Sequence, residues 1–301
     1  MVSVLPLVSI GMPVFNEENT IARALDSLLT QNFTNFEIII SDNCSTDKTA
    51  EICKIYAEKD NRIHLNLNKI NLGIVANFQI VHRKGSGKYF MWAAGDDYWE
   101  PEFLTTLVSE LESDPAAGVA LCAVRRESTD GSLKDIIRFN GRKNPNRLSH
   151  WQVAIKLLSP NRQIKSQKYN LFIYGIFKYK VVNDIFNLDK NVIKYRDRSF
   201  LAPIALAYKF VFIDKVLFSK MVREDYKIRY PDDDLIKIKM ETFYLKYWSK
   251  CYYKITVWII KYSQIPLQRK FFVLFFPYWM CWRFAYKQKK RVGKLFYGKN
   301  P

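Results

Sequence analysis

The chain has 301 residues, of which 49% are hydrophobic, and its 47 Lys and Arg against 29 Asp and Glu give a formal net charge of +18. This length and hydrophobicity allow one large α/β domain with an appendage. Three histidines without a neighbour at metal-ligand spacing and five cysteines without a Cys-x-x-Cys pair give little support to a zinc site or a Ser-His-Asp triad, and reduced thiols are expected.

The first predicted strand covers residues 7–12 and ends in a polar loop. The apolar run breaks at Pro13, and Phe15, Asn16 and Glu17 follow it. A loop in this position, between a strand and a helix, is a candidate ligand-binding segment. Apolar residues then recur at the spacing of a helix: Ile21, Ala24, Leu25, Leu28 and Leu29.

The second and third strand ends also carry short polar side chains. A buried-type strand near 36–41 leads into Asp42 and a polar segment that can cap the next helix. Further along, Asn71 and Asn77 offer amide groups to a base or a ribose, and Gly73 between them permits close approach of the backbone.

The fourth strand end carries two adjacent carboxylates. An apolar strand near 88–93 runs into Gly95, Asp96 and Asp97, and a helix begins after Pro101. Hard oxygen donors at the carboxyl end of a strand suit Mg²⁺ or Mn²⁺ bridging a diphosphate. A solvated Gly-Asp-Asp turn is the structural alternative.

Together these patterns predict an α/β fold. Strands are predicted near 7–12, 36–41, 62–66, 88–93 and 118–124, and helices near 18–31, 47–60, 72–82 and 101–113. Because strands and helices alternate, a largely parallel sheet with crossover helices is expected.

Residues 7–125 resemble the nucleotide-binding half of family 2 glycosyltransferases, which have the Rossmann-like GT-A fold. Four motifs in the family's order carry the resemblance: Pro-x-Phe-Asn-Glu at 13–17, Asp-Asn-x-Ser-x-Asp-x-Thr at 42–49, Asn-x-Gly with Ala-Asn at 71–77, and the acidic pair. The family's acidic motif is often Asp-x-Asp or three acids, whereas Gly95 stands here before only two.

The resemblance implies how a nucleotide-diphospho-sugar would be held. The loop 13–17 and Asp42 would hold the nucleobase, with further nucleotide contacts from the segment 71–77. Asp96 would lie on the ribose side, and Asp97, with Asp96, would hold Mg²⁺ or Mn²⁺ on the diphosphate.

Family members that invert the anomeric carbon also use an Asp or Glu as the base that takes the acceptor's proton. The segment 194–220 resembles the stretch in which an acid opens a helix that is followed by a short strand, and Asp197 falls on that acid. Helix capping, with pairing to a neighbouring arginine, is the alternative for Asp197. Three other acids are expected to be surface or capping residues: Asp184, Asp189 and Asp214.

The last sixty residues differ in composition from the rest. Residues 241–301 hold thirteen Lys or Arg against one acid, Glu241, so this segment carries +12 of the net charge. Its interleaved aromatic residues predict a basic amphipathic segment at a membrane surface. The longest uncharged apolar run, 271–282, is shorter than the roughly 20 residues that span a bilayer. Packing as core helices and binding of single-stranded nucleic acid are alternatives, and we expect no nucleic-acid partner.

The predicted organisation is a GT-A domain over 1–225, with a donor half (1–125) and an acceptor and base half (126–225), followed by a basic aromatic helical extension over 226–301. The predicted activity is metal-assisted, inverting transfer of one sugar to a glycan or polyprenyl-linked acceptor. The start of the chain is too short for a signal peptide. The basic aromatic segment, and the lipid-linked acceptors that many relatives use, make the cytosolic face of a membrane the expected location.

Other interpretations of the same residues predict different features. A sugar-nucleotide nucleotidyltransferase would carry a Gly-rich basic loop after the first strand, where this chain is acidic. A membrane-binding adaptor on a degenerate fold would be expected to lose Asp42, Asp96 or Asp97. Processive synthases of the family carry Gln-x-x-Arg-Trp, whereas Val292 follows Gln288-Lys-Lys-Arg291 here, which favours transfer of a single sugar.

Overall fold

A computed structural model of the chain describes residues 5–139, 153, 171–188, 200–201, 204–205 and 207–223, which all lie in a compact unit, Met1–Arg229. The predictions for Asp189, Asp197 and the extension 226–301 fall outside the described residues. Within the ranges described, no helix is long and apolar enough to cross a membrane.

The described elements follow the alternation that the sequence predicts. The first half contains β1 (Val8–Val14), α1 (Ile21–Leu29), β2 (Phe36–Asp42), α2 (Thr49–Lys59), β3 (Ile63–Leu67), α3 (Ile74–Lys84), β4 (Tyr89–Trp92), β5 (Tyr98–Trp99) and α4 (Phe103–Ser113). The second half contains β6 (Ala117–Ser128), β7 (Leu133–Ile137), β8 (Ile176–Lys178), α5 (Tyr179–Leu188) and β9 (Lys209–Val222).

Among these residues, nine strands form one sheet in the order β3-β2-β1-β4-β8-β6-β9-β5, with β7 paired to β6. The first four neighbours are parallel, as predicted. The second half is mixed, because β8 runs antiparallel to both β4 and β6, while β9 runs parallel to β6 and antiparallel to β5. The α/β fold class is confirmed, with a sheet that is more mixed than a simple βα alternation implies.

Burial explains why the central strands are continuous apolar runs in the sequence. β2 is buried along its whole length, as expected for a parallel strand covered by helices on both faces. The helical spacing in α1 buries Ile21, Ala24, Leu25 and Leu28 against the sheet. This packing places the loops after β1, β2 and β4 at one edge of the sheet.

The sequence predicts that the first strand ends before Pro13. In the structure, β1 continues through Pro13 to Val14. The backbone N–H of Ala93 donates to the carbonyl of Gly11 at 2.9 Å, so the alternation along β1 directs the nitrogen of Pro13 toward β4 as well. Pairing with β4 ends at Gly11, and no ladder hydrogen bond is lost at Pro13.

Strand β9 is also longer than the short strand that the sequence suggests. It runs for 14 residues because it pairs with β6 from Ala117 to Ser128. Its far end then pairs with β5, directly after the acidic residues 96 and 97. A distant part of the sequence thereby reaches the edge where the predicted site residues lie.

Candidate functional site

The loops after β1, β2 and β4 meet at the carboxyl edge of the parallel half-sheet, where open α/β sheets bind ligands. Gly95 allows the end of β4 to approach the loop after β1. A Cβ at this position would lie 3.1 Å from Ile21 Cδ1 and 3.3 Å from Glu17 Cγ. The glycine before the acidic pair therefore has a packing role.

The loop after β1 is hydrogen-bonded to the loop after β2. Asn16 adopts φ 54°, its N–H donates to Ser45 Oγ at 3.0 Å, and its Oδ1 accepts from the N–H of Thr46 at 2.9 Å. Glu17 N–H donates to Thr49 Oγ1 at 2.6 Å. These contacts hold the predicted nucleobase loop to the segment after Asp42, and Phe15 lies 39% exposed beside them.

The predicted base-binding carboxylate, Asp42, is 2% exposed and is held by Ser45. Ser45 donates its N–H to Asp42 Oδ2 at 3.0 Å and its hydroxyl to Oδ1 at 2.5 Å. These bonds engage both carboxylate oxygens of Asp42 and fix its orientation at the end of β2.

Amide side chains from three segments form a network next to Asp42. Asn77 Nδ2 donates to the carbonyl of Ser41 at 2.8 Å, and its Oδ1 accepts from Asn68 Nδ2 at 3.1 Å. Asn71 Oδ1 accepts from Asn43 Nδ2 at 2.8 Å and from the N–H of Gly73 at 2.9 Å. In this structure, Asn71 and Asn77 order the loop between β3 and α3.

Gly73 is the residue before α3 and has φ 80°. This left-handed conformation explains the glycine, because side-chain-bearing residues rarely adopt it. A Cβ there would meet nothing within 4 Å. The backbone conformation, and not a lack of space, therefore explains why position 73 is a glycine.

The acidic pair is bonded to two cations at the end of β9. Lys220 Nζ donates to Asp97 Oδ1 at 2.9 Å and Oδ2 at 3.1 Å, and lies 3.4 Å from Asp96 Oδ1. Arg223 Nε donates to Asp96 Oδ2 at 2.7 Å, and its Nη2 donates to Glu17. Arg223 therefore joins the loop after β1 to the acidic pair.

Burial and charge move the pKa values of this cluster in opposite directions. Burial raises the pKa of Asp97 to about 7, against the effect of Lys220, and the charge of Asp96 adds to the rise. Burial acts on Asp96 too, but the charges of Lys220 and Arg223 outweigh it and lower the pKa. Burial also disfavours the charge of Lys220, yet the attraction of Asp97 dominates and raises the pKa of the ammonium. Burial thus opposes the charge of Asp97, whereas the two cations favour the charge of Asp96.

The chemistry of the acidic pair fits a divalent cation. Asp96 and Asp97 present adjacent carboxylates, and the Lys220 ammonium, which contacts both, acts as a stand-in cation. In the described part of the chain, no group of three or more His, Cys, Asp or Glu side chains could hold a metal. Protein side chains of this cluster would supply only part of a coordination shell.

The structure brings together the sequence-predicted residues Asn16, Glu17, Asp42, Asp96 and Asp97, whereas Asp197 lies outside the described residues. The sequence patterns predict no role for Lys220 or Arg223. The sequence indicates these cations only indirectly, because two adjacent carboxylates that become buried require positive charge nearby. Asp214, expected to be a surface acid, pairs with Arg138 Nη1 at 2.8 Å and is half-exposed.

Much of the chain is similar to known glycosyltransferases. The family model described as "Glycosyl transferase family 2" matches residues 9–200. The protein "Glycosyltransferase GlyA" of Streptococcus pneumoniae serotype 4 is 35% identical over 114 residues, which are 37% of this chain and 16% of GlyA. The matched segment covers well under two thirds of the length of such curated relatives.

Two solved structures share the fold. S. aureus TarS 1-349 in complex with UDP has a TM-score of 0.58 and 21% identity, over 89% of this chain and 69% of that chain. The mannosyltransferase PcManGT from Pyrobaculum calidifontis, in complex with GDP-Man and Mn²⁺, has a TM-score of 0.53 and 15% identity, over 92% of this chain and 70% of that chain. These likenesses support the GT-A architecture.

Proposed function

The chain belongs to glycosyltransferase family 2, and on that premise we propose that it transfers one sugar from a nucleotide-diphospho-sugar to an acceptor hydroxyl. The observation that carries the proposal is the contact of Arg223 with both Glu17 and Asp96. It joins the nucleobase loop to the acidic pair in one polar cluster. UDP in the TarS complex and GDP-Man in the PcManGT complex support a nucleotide-linked donor.

Each part of the cluster suits one part of the donor. Asp42, buried and held by Ser45, offers a fixed carboxylate to an N–H of the nucleobase. The interlocked loop at Asn16 and Glu17 forms the wall beside it. Asp96 would lie on the ribose side, and Asp97 would hold the metal on the diphosphate.

A divalent ion is part of the proposal, and Asp96 and Asp97 are the residues that would hold it. The Mn²⁺ in the PcManGT complex supports metal use in this fold. When bound, Mg²⁺ or Mn²⁺ stabilises the negative charge of the departing nucleoside diphosphate. The protein itself contributes the buried carboxylates and the cations Lys220 and Arg223, which offset charge around them.

The acceptor side of the proposal rests on the sequence. Asp197 would take the proton of the acceptor hydroxyl while the hydroxyl oxygen displaces the nucleoside diphosphate from the opposite face of the sugar, which inverts the anomeric carbon. The basic aromatic segment 241–301 would hold the protein at the cytosolic face of a membrane, next to a glycan or polyprenyl-linked acceptor.

Ligand-induced stabilisation tests the donor class. UDP, GDP and their sugar derivatives would be screened by thermal unfolding with and without Mn²⁺. A ligand at a hundred times its dissociation constant adds about 2.7 kcal/mol to the free energy of unfolding. We expect one nucleotide to stabilise the wild-type protein, with a larger effect when Mn²⁺ is present.

Two matched substitutions distinguish loss of the metal site from the general effect of removing one negative charge. Asp97→Asn removes the charge of the buried carboxylate and is expected to abolish the additional stabilisation by Mn²⁺. Asp130→Asn changes an exposed turn residue and should leave it intact. Failure of every nucleotide to stabilise the wild-type protein would overturn the proposal.

A further inference from the structure

Lys220 occupies the position beside the acidic pair that a divalent cation would need. Its Nζ lies within 3.4 Å of three carboxylate oxygens, two from Asp97 and one from Asp96. The ammonium also lies 4.9 Å from the ring centroid of Tyr174. Strand β9 delivers it there through its pairing with β5 and β6.

The remaining carboxylate contacts are also filled. Asp97 Oδ1 accepts a second bond from the N–H of Met221 at 3.2 Å, and Asp96 Oδ2 accepts from Arg223. All four oxygens of the pair thus bond to a cation or a backbone donor. Asp97 is 1% exposed, so water contributes little to its stabilisation.

A metal ion and Lys220 are therefore competitors. The Lys220 ammonium lies 2.9, 3.1 and 3.4 Å from three oxygens of the pair, between the same carboxylates that a divalent ion would bind at about 2.0–2.6 Å, so the two cations compete through overlap and repulsion of like charge. Lys220 has to leave Asp97 before metal enters, and leaving is costly because a buried charge would lose its partner.

Resting on the proposed function, we infer that Lys220 keeps the metal position closed until the donor arrives, so that Mn²⁺ or Mg²⁺ binds only together with a nucleoside diphosphate. The diphosphate supplies the negative charge to which Lys220 transfers, with Arg223 beside it. The lysine then remains near the leaving group and does not become an unpaired charge. Metal binding without nucleotide is accordingly weak in this protein.

Direct binding of Mn²⁺ to the full chain tests the inference without an activity assay. Equilibrium dialysis with elemental analysis would compare wild type, Lys220→Met and the control Lys209→Met in the absence of nucleotide. Lys209 lies on the same strand and bonds to Asp114 at 2.6 Å, away from the site. We expect Lys220→Met to bind Mn²⁺ at least about tenfold more tightly than wild type, since close charge pairs couple by more than 1.4 kcal/mol. Lys209→Met should behave as wild type.

Two further arms make the result decisive. Lys220→Met combined with Asp97→Asn should lose the gained Mn²⁺ binding. Wild type dialysed with UDP or GDP should bind Mn²⁺, whereas wild type without nucleotide should not. This comparison replaces the first one if Lys220→Met does not fold. Equal Mn²⁺ affinity of wild type and Lys220→Met overturns the inference, as does nucleotide-independent Mn²⁺ binding by wild type. Loss of all nucleotide binding would instead contradict the proposed donor, while the metal-only comparison still decides the role of Lys220.

Discussion

Thr46 donates its backbone N–H to Oδ1 of Asn16 at 2.9 Å, and this bond joins the loop after β1 to the loop after β2. Asn16 holds φ 54°, in the left-handed region that Asn tolerates better than most residues. Asn16 thus has two structural roles: it tolerates the positive φ, and its side chain holds the two loops together.

Asn16→Ala is expected to lower the free energy of unfolding by about 2 kcal/mol, because it loses the hydrogen bond and places Ala at positive φ. Asn16→Gly removes the hydrogen bond without the backbone strain and should cost about 1 kcal/mol. Urea unfolding of the three proteins measures both values. If Gly costs as much as Ala, the positive φ at position 16 contributes nothing to the cost of Asn16→Ala.

Arg223→Gln is expected to weaken nucleotide binding, because it removes the charge shared between Glu17 and Asp96. Removing one partner of a partly buried charge cluster costs roughly 2–5 kcal/mol where the remaining charges stay desolvated. We expect a loss of binding at the low end of that range, measured by isothermal titration with the stabilising nucleotide. Arg126→Gln, which breaks a half-exposed pair with Asp135, is the control and should leave binding unchanged.

The parts of the site that the sequence predicted are those encoded by neighbouring residues. Asp42 and its partner Ser45 lie three positions apart, and the strand that carries them is a continuous apolar run. The acidic pair likewise follows β4 along the chain, after residues 93–95. Local patterns of this kind fix which residues stand at the ends of parallel strands.

The cations were not predictable in the same way. Lys220 reaches Asp97 across 123 positions of sequence, through the pairing of β9 with β6 and β5. Strand pairing of this range depends on tertiary packing, and no periodicity in the residues around Lys220 indicates the partner. The mixed second half of the sheet was missed for the same reason.

Gly73→Ala separates backbone strain from the function of the site. Gly73 has φ 80°, and Gly131, in a turn between β6 and β7, has φ 81°. A Cβ added at either position would meet no atom within 4 Å. Alanine at either site should therefore cost about 1–2 kcal/mol of stability through the backbone alone. Only Gly73→Ala should also weaken nucleotide binding, since it shifts the loop of Asn71. Nucleotide affinity of Gly73→Ala equal to that of Gly131→Ala would contradict this prediction.

His82 makes the stability of the protein sensitive to acid. It is buried among Phe90, Tyr179 and Phe186, and its Nε2 has no hydrogen-bond partner in the described structure. Burial lowers its pKa from 6.5 to about 4, with a further contribution from the charge of Arg83. The unfolded chain therefore binds more protons than the folded protein between these values, so the free energy of unfolding falls as pH decreases from 6.5 to 4.

Across this pH range the shift lowers the free energy of unfolding by about 3 kcal/mol, at about 1.36 kcal/mol for each unit of pKa. Replacing the imidazole with a ring that does not titrate should remove it, so His82→Phe is expected to flatten the fall in stability between pH 6.5 and 4. His64→Phe is the control, because the His64 side chain is 58% exposed. Urea unfolding at a series of pH values measures the slopes. A slope in His82→Phe as steep as that of wild type would mean that other groups cause the acid sensitivity.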